Sequence, residues 1–195
     1  MNFSVLSALS TDDTRNVALP ALRKVFTSMD VLKSPYNIAI RERIILYDYR
    51  YELTSPLKEI IFNTAQEVGN EGFFLSVLTS PELEDPSQNN HWYIPFSAQD
   101  QYPDILWGPL GNVIYSPTGN WAIMLDYEVT LMGGIPEFIN IVRHKFSSLD
   151  SQVIDFLLFW KEEKEIGHPV HWIKPLLEDV YGVEKASLLL EQTSF

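Results

Sequence analysis

Asp126 and Glu128 stand two residues apart at the close of the apolar run WAIML. Two carboxylates at that spacing can divide acid and base work on a bound water, or offer oxygens to a hard cation. If WAIMLDYEV (121–129) is a strand, they share one face with Ala122 and Met124. Trp121, Ile123, Leu125 and Tyr127 are then left for the core, because side chains alternate. That spacing also suits the wet end of a half-exposed strand, and no partner motif accompanies the pair. His168 and His171 stand three apart in GHPVHW, downstream of Glu162, Glu163 and Glu165. A zinc helix needs HExxH, and Pro169 disfavours a helix interior there, so these read as ordinary histidines at a loop and helix start. His91 and His144 are isolated. Ser116 lies in a turn, but GxSxG is absent and nothing marks a base for it. Gly133-Gly134 follows a strand and precedes a helix, where an anion could rest. Without GxGxxG, a Walker lysine or a nearby base, the pair reads as a tight turn needing positive φ. The chain has no cysteine, which excludes disulfides, thiolate metal sites and thiol nucleophiles. The motifs call for no cofactor and no metal.

Charge says more. The formal net charge is −12, which argues against direct contact with a phosphate backbone, since such contact needs Lys and Arg. Residues 59–142 contain no lysine or arginine over 84 positions, yet hold eleven acids; the rest of the chain is nearly neutral, with 15 acids and 14 bases. Solubility alone can maintain such a surface. A basic partner would also select it. Within the window, Glu82, Glu84, Asp85, Asp100 and Asp104 are interleaved with Trp92, Tyr93, Tyr102 and Trp107. Carboxylates steer and pair with Lys or Arg while rings stack on them, so this mixture suits a protein interface, if the rings are not core.

The elements that must position these groups follow from periodicity. In residues 11–32 the apolar spacing is helical, and Pro20 places the helix start at that proline. Residues 37–55 are ambiguous, with alternating Tyr47, Tyr49 and Tyr51 favouring a strand. Residues 55–69 form a helix with Ser55 as N-cap, Pro56 at N1 and Gly69 as its stop. Strands are expected at 72–80, 91–97, 112–116 and 121–129, with Ser116-Pro117-Thr118-Gly119 as a type I turn. Helices follow at 135–146 and 150–167, then one or two short ones broken near Pro175 and Gly182. The result is a single α+β domain over 1–195. Residues 71–134 are mainly strands, a central antiparallel meander of about four, and 135–195 are mainly helical, so helices from both termini pack the sheet. No stretch has the length of a membrane span, and the first fifteen residues lack the basic start of a signal peptide, so the expectation is a soluble cytoplasmic protein.

The segment NVIYSPTGNWAIMLDYEVTLMGGIPEFI resembles a pattern of small bacterial immunity proteins encoded beside polymorphic or contact-dependent toxins. The likeness rests on Ser116, Pro117, Gly119, Trp121, Gly133, Gly134 and Phe138, about thirty residues of 195. It implies a non-enzymatic protein that plugs a toxin's active site. Many such toxins are basic nucleases, which would suit an acidic inhibitor. The expected binding residues are Glu82, Glu84, Asp85, Trp92, Asp100, Tyr102, Asp104, Asp126 and Glu128. The expected partner is a basic cognate toxin, with no nucleic acid and no membrane. Two other classes stay open. One is a hydrolase or metal-dependent enzyme using Asp126, Glu128 and a histidine; a cleft joining them, with perturbed carboxyl groups, would favour it, whereas a flat or convex acidic face would favour binding. The other is a structural or regulatory subunit that forms a homodimer through the C-terminal helices, where FLLFW (156–160) and SLLLE (187–191) are apolar.

Overall fold

Pro20 does not start the first helix. In the computed structural model, which describes residues 7–47, 52–53, 55–78, 90–105 (side chains to 102) and 111–195, the chain is helical from Thr11. Ser10 caps it: its Oγ accepts from the Asp13 N–H at 3.1 Å and donates to the Asp13 carboxylate at 2.7 Å. A short α1 (Thr11–Asp13) passes into a π-helical stretch (Thr14–Ala18) and then α2 (Leu19–Val25). Within an α-helix, the Pro20 ring would clash with the carbonyl four residues back. The wider turn, in which the Leu19 N–H reaches Thr14 O, admits the proline without ending the helix.

Among the described residues the sheet has six strands rather than four: β1 (Glu42–Leu46), β2 (Gly72–Val77), β3 (Asn90–Pro95), β4 (Asn112–Tyr115), β5 (Trp121–Leu125) and β6 (Thr130–Gly134), in the order β1-β6-β5-β4-β2-β3, all antiparallel. The Ser116–Gly119 turn forms as expected, closed by the Gly119 N–H on Ser116 O at 3.1 Å with Gly119 at φ +84°. Gly133-Gly134, by contrast, is no turn. It lies in β6, where a Cβ on Gly133 would sit 2.6 Å from Ile40 Cγ2 and 2.8 Å from Tyr36 Cε1. Close approach by the Tyr36 ring, rather than positive φ, explains glycine there.

Helices cover both faces. α3 (Leu57–Glu67) and α4 (Pro136–Lys145) pack on one, where Trp121, Ile123 and Leu125 meet Leu57, Ile61, Phe138 and Ile139. On the other face Ala122, Met124 and Leu131 meet α2, α5 (Gln152–Glu165), α6 (Ile173–Tyr181) and α7 (Val183–Thr193). Ala122 and Met124 are therefore buried, and the half-exposed strand read from the sequence is corrected: β5 is central and has no wet face. Pro175 does not break α6, because it falls in the first turn, where its missing N–H has no helical partner. Gly182 does break the chain, between α6 and α7.

Both sheet edges are occupied. The Ile45 N–H of β1 donates to Tyr181 OH, and the Tyr47 N–H just beyond it to Gln152 Oε1, both at 3.1 Å. Arg43 pairs with Asp179 at 3.0 Å. On β3, His91 O accepts from the Leu9 N–H at 2.7 Å. No helix among the described residues is long and apolar enough to cross a membrane.

Candidate functional site

The register places Leu46, Thr130, Leu125, Asn112, Val77 and Asn90 side by side at one end of the sheet. The β5–β6 connection, residues 126–129, closes over this end. Asp126 Oδ1 accepts from the Glu128 N–H at 3.1 Å, and the Asp126 N–H reaches Val129 O at 3.3 Å. This Asx turn folds Glu128 back onto Asp126. The carboxyl groups meet because the chain turns; strand alternation plays no part, since β5 has ended at Leu125. Burial, followed by the hydrogen bond that a protonated Asp126 donates to the neighbouring Glu128 carboxylate, pushes Asp126 up to about 7. The pair therefore holds a proton that an exposed aspartate would have lost.

Beside the turn lies a cavity of about 200 Å³ between residues 127–128 and the α5–α6 corner. Its walls are aromatic: Tyr127, Phe159, Trp160 and Trp172. Trp160 meets Trp172 edge to face at 5.0 Å and Phe159 at 5.5 Å. Trp172 Nε1 donates to Pro169 O at 3.1 Å, which fixes its ring at the head of α6. Glu128 and Glu163 supply the acid, and His168 Nδ1 is hydrogen-bonded to the Glu163 carboxylate. Glu128 and Glu163 thus border a ring-lined space suited to a cation.

The other expected binding residues divide. Tyr102 is fully buried: its OH donates to Leu53 O at 2.9 Å and accepts from the Leu53 N–H at 3.1 Å. It is a core residue on the α3 face, which corrects its reading as an interface ring. Trp92 is half-buried against the same cluster. Asp100 is 88% exposed, with Lys58 of α3 at 3.8 Å. These three lie on the sheet face opposite the one that Trp160 and Trp172 pack on. Glu82, Glu84 and Asp85, and Trp107 with them, lie outside the described residues, as does the Asp104 side chain. The residues that bracket Glu82–Asp85, Val77 and Asn90, pair at the same sheet end as the Asp126 turn.

Tyr102→Phe tests its structural role. It would leave the Leu53 N–H and C=O without their buried partner, so a loss of about 1–3 kcal/mol is expected in urea denaturation, with any partner binding unchanged. An unchanged midpoint would return Tyr102 to the surface.

Elsewhere, His91 is not isolated. Its Nδ1 lies 2.6 Å from Ser76 Oγ, which also meets Tyr115 OH at 3.1 Å. Burial lowers His91 to about 4 and keeps it neutral. Ser76 and His91 are both 1% exposed, so a substrate has no approach to this pair. Ser116 Oγ donates to Asn70 Oδ1 at 2.7 Å and is buried, a turn-holding role. At the opposite sheet end a larger cleft of about 450 Å³ runs beside Leu9, Val17, Phe74 and Tyr93, with Asp13 and Glu71 at its margin. No group of three or more His, Asp or Glu among the described residues could hold a metal.

Sequence reasoning did not join the walls of the aromatic cavity into a site: Phe159 and Trp160 stood out only within the apolar FLLFW run, Glu163 only as an acid upstream of His168, and Trp172 only beside His171. Their only joint signal was aromatic density on both sides of the Gly167-His168-Pro169 corner, and that density reads equally as core. Comparison of the chain with protein-family models, with curated proteins and with solved structures returns no match.

Proposed function

We propose that this chain is a non-enzymatic inhibitor of the immunity type. In this reading it binds a basic toxin in the cytoplasm, through the sheet end closed by Asp126 and Glu128. The observation that carries the reading is the meeting of these carboxylates beside an aromatic-walled space, within a stretch of 84 residues that has no lysine or arginine. Such an end draws a basic surface toward it, while the scaffold beneath stays rigid because both sheet faces are packed. A nuclease is the toxin class whose own basic active site best matches that charge. Nucleic acid and membrane surfaces have no complementary charge here.

The test is a tagged pull-down from the native host, or against the product of the adjacent gene, washed at low and high salt. One basic protein bound stoichiometrically, and more loosely at high salt, is the expected outcome. The double change Asp126→Lys with Glu128→Lys should then slow association by about tenfold or more at low salt and flatten its salt dependence. Equal association rates for variant and parent would remove this end from the interface.

A second reading has its own support: Glu128 and His168 line one cavity, and Asp126 behind Glu128 is held protonated near neutrality, the pattern of a general acid. The cavity wall offers no serine, threonine or lysine among the described residues, which weighs toward binding. Hydrolase activity of the purified protein that disappears in Asp126→Asn would reverse that preference.

A further inference from the structure

The cavity at the α5–α6 corner has a size, wall and charge that select among ligands. Its volume, about 200 Å³, is below the range of sites for cofactors and drug-sized molecules, about 300–1,000 Å³, and suits one long side chain. Four rings present π faces or edges, and two of them, Trp160 and Trp172, stand at 86° to each other, so they form two walls of a corner. Glu128 enters from the β5–β6 turn and Glu163 from α5, on different sides of the space. The lysines of α5 are drawn elsewhere: Lys161 Nζ donates to Thr193 O at 3.1 Å and Lys164 Nζ to Phe195 O at 2.8 Å. His168, the basic group in the lining, is already engaged by Glu163.

Anionic ligands are disfavoured by both glutamates, and an apolar ligand would strand their charge. A compact ammonium would satisfy the acids but leave the flat walls poorly covered. A guanidinium is planar, stacks on indole, is weakly hydrated and donates along fixed directions to carboxylates. We propose that this cavity receives a single arginine side chain of the basic partner, its guanidinium held against Trp160 and Trp172 and hydrogen-bonded to Glu128 and Glu163. The proposal rests on the binding reading above and deepens it: the arginine is the anchor, and the surrounding acids steer.

The experiment uses the full chain labelled with 15N and titrated with N-acetyl-L-arginine amide; the neutral, nearly isosteric citrulline amide is the control. Expected are saturable shifts at the Trp160 and Trp172 indole N–H signals, each assigned by Trp→Phe replacement, with a dissociation constant on the order of 1–10 mM. Citrulline should give none. Glu128→Gln and Glu163→Gln should each weaken the arginine effect about five- to tenfold. Both sites are at the cavity margin, so these variants keep the test sound even if a tryptophan replacement disturbs the fold. Equal shifts with arginine and citrulline, or shifts confined to other residues, would overturn the pocket assignment. Two outcomes separate the pocket from the broader reading. A captured partner that binds Glu128→Gln/Glu163→Gln as tightly as the parent sinks the pocket alone. A saturable arginine site in a protein that captures no basic partner keeps the pocket and sinks the inhibitor.

Discussion

Gly133→Val is expected to cost about 3 kcal/mol or more and to lower the melting temperature by roughly 10 °C. A Cβ at this position would lie 2.6 Å from Ile40 Cγ2 and 2.8–2.9 Å from two atoms of the Tyr36 ring. Ile40 is fully buried and cannot swing into solvent. Tyr36 is pinned from two sides: it stacks on Phe26 at 5.1 Å, and its OH donates to Leu131 O at 2.7 Å. Relief would have to come from β6 itself, which is held between β1 and β5. Valine adds two methyl groups to that overlap. Gly134→Ala is the milder companion, since its nearest neighbours, Phe138 Cδ1 and Ile139 Cγ1, are 3.0 and 3.2 Å away and belong to side chains. Thermal melts of the two variants beside the parent decide the matter. A Gly133→Val protein melting within about 2 °C of the parent would mean that the Tyr36 ring gives way easily.

Asp126→Asn is expected to stabilise the protein at pH 8 and leave it unchanged near pH 4. The folded state raises this carboxyl from 3.8 to about 7, through burial first and the Glu128 carboxyl second. A raised group contributes stability that is complete below its unfolded value and disappears as pH climbs through its folded value. The window is therefore pH 4 to about 7. Three pH units would amount to about 4 kcal/mol, which partial exposure and the shared proton reduce to about 2 kcal/mol. Asparagine keeps the Oδ1 acceptor for the Glu128 N–H and carries no charge to lose. At pH 8 the variant should melt about 5 °C higher. His91 acts in the opposite sense: its lowered value removes stability as pH falls from about 6.5 toward 4, in parent and variant alike. The difference between the two melting profiles isolates Asp126. Parallel profiles across pH 4–8 would show that Asp126 titrates as an ordinary surface aspartate.

Much of the scaffold was legible because its signals are local. The stripe in 57–67, the apolar runs of β2 to β5 and the Gly182 break each depend on neighbours within a few residues. What escaped depends on distant partners. Gly133-Gly134 read as a turn because the ring that demands glycine comes from Tyr36, almost a hundred positions earlier. Pro20 read as a start because the π-helical stretch that admits it has no sequence mark. Ala122 and Met124 read as wet because two residues of different size alternate with larger ones, and only the packing of α2 and of the distant C-terminal helices α5 to α7 covers that face. Asp126 and Glu128 were found, though by strand alternation, when an Asx turn is what joins them. Tyr102 was misplaced because an aromatic among acids looks the same in a sequence whether its hydroxyl meets water or the Leu53 backbone. The cavity walls come from residues 127–128 and 159–172, and no spacing rule links those segments.

The hydrogen bonds along the outer strands bear on how this protein can associate. A strand that carries open N–H and C=O groups invites another chain to pair with it, which leads to strand exchange, fibres or capture of an extended peptide. Here Tyr181 and Gln152 take the β1 amides, the Arg43–Asp179 pair adds charge on the same side, and the backbone at Leu9 lies along β3, which ends in a proline. Growth of the sheet from chain to chain is thereby obstructed at these positions. Exposed apolar side chains lie instead on and beside the C-terminal helices, at Leu158, Ile166, Val183 and Leu188. The C-terminal helices thus act as gatekeepers against polymerisation as well as a layer of the core. The turn at residues 126–129, which closes the sheet end where the proposed partner would dock, supplies none of these edge contacts.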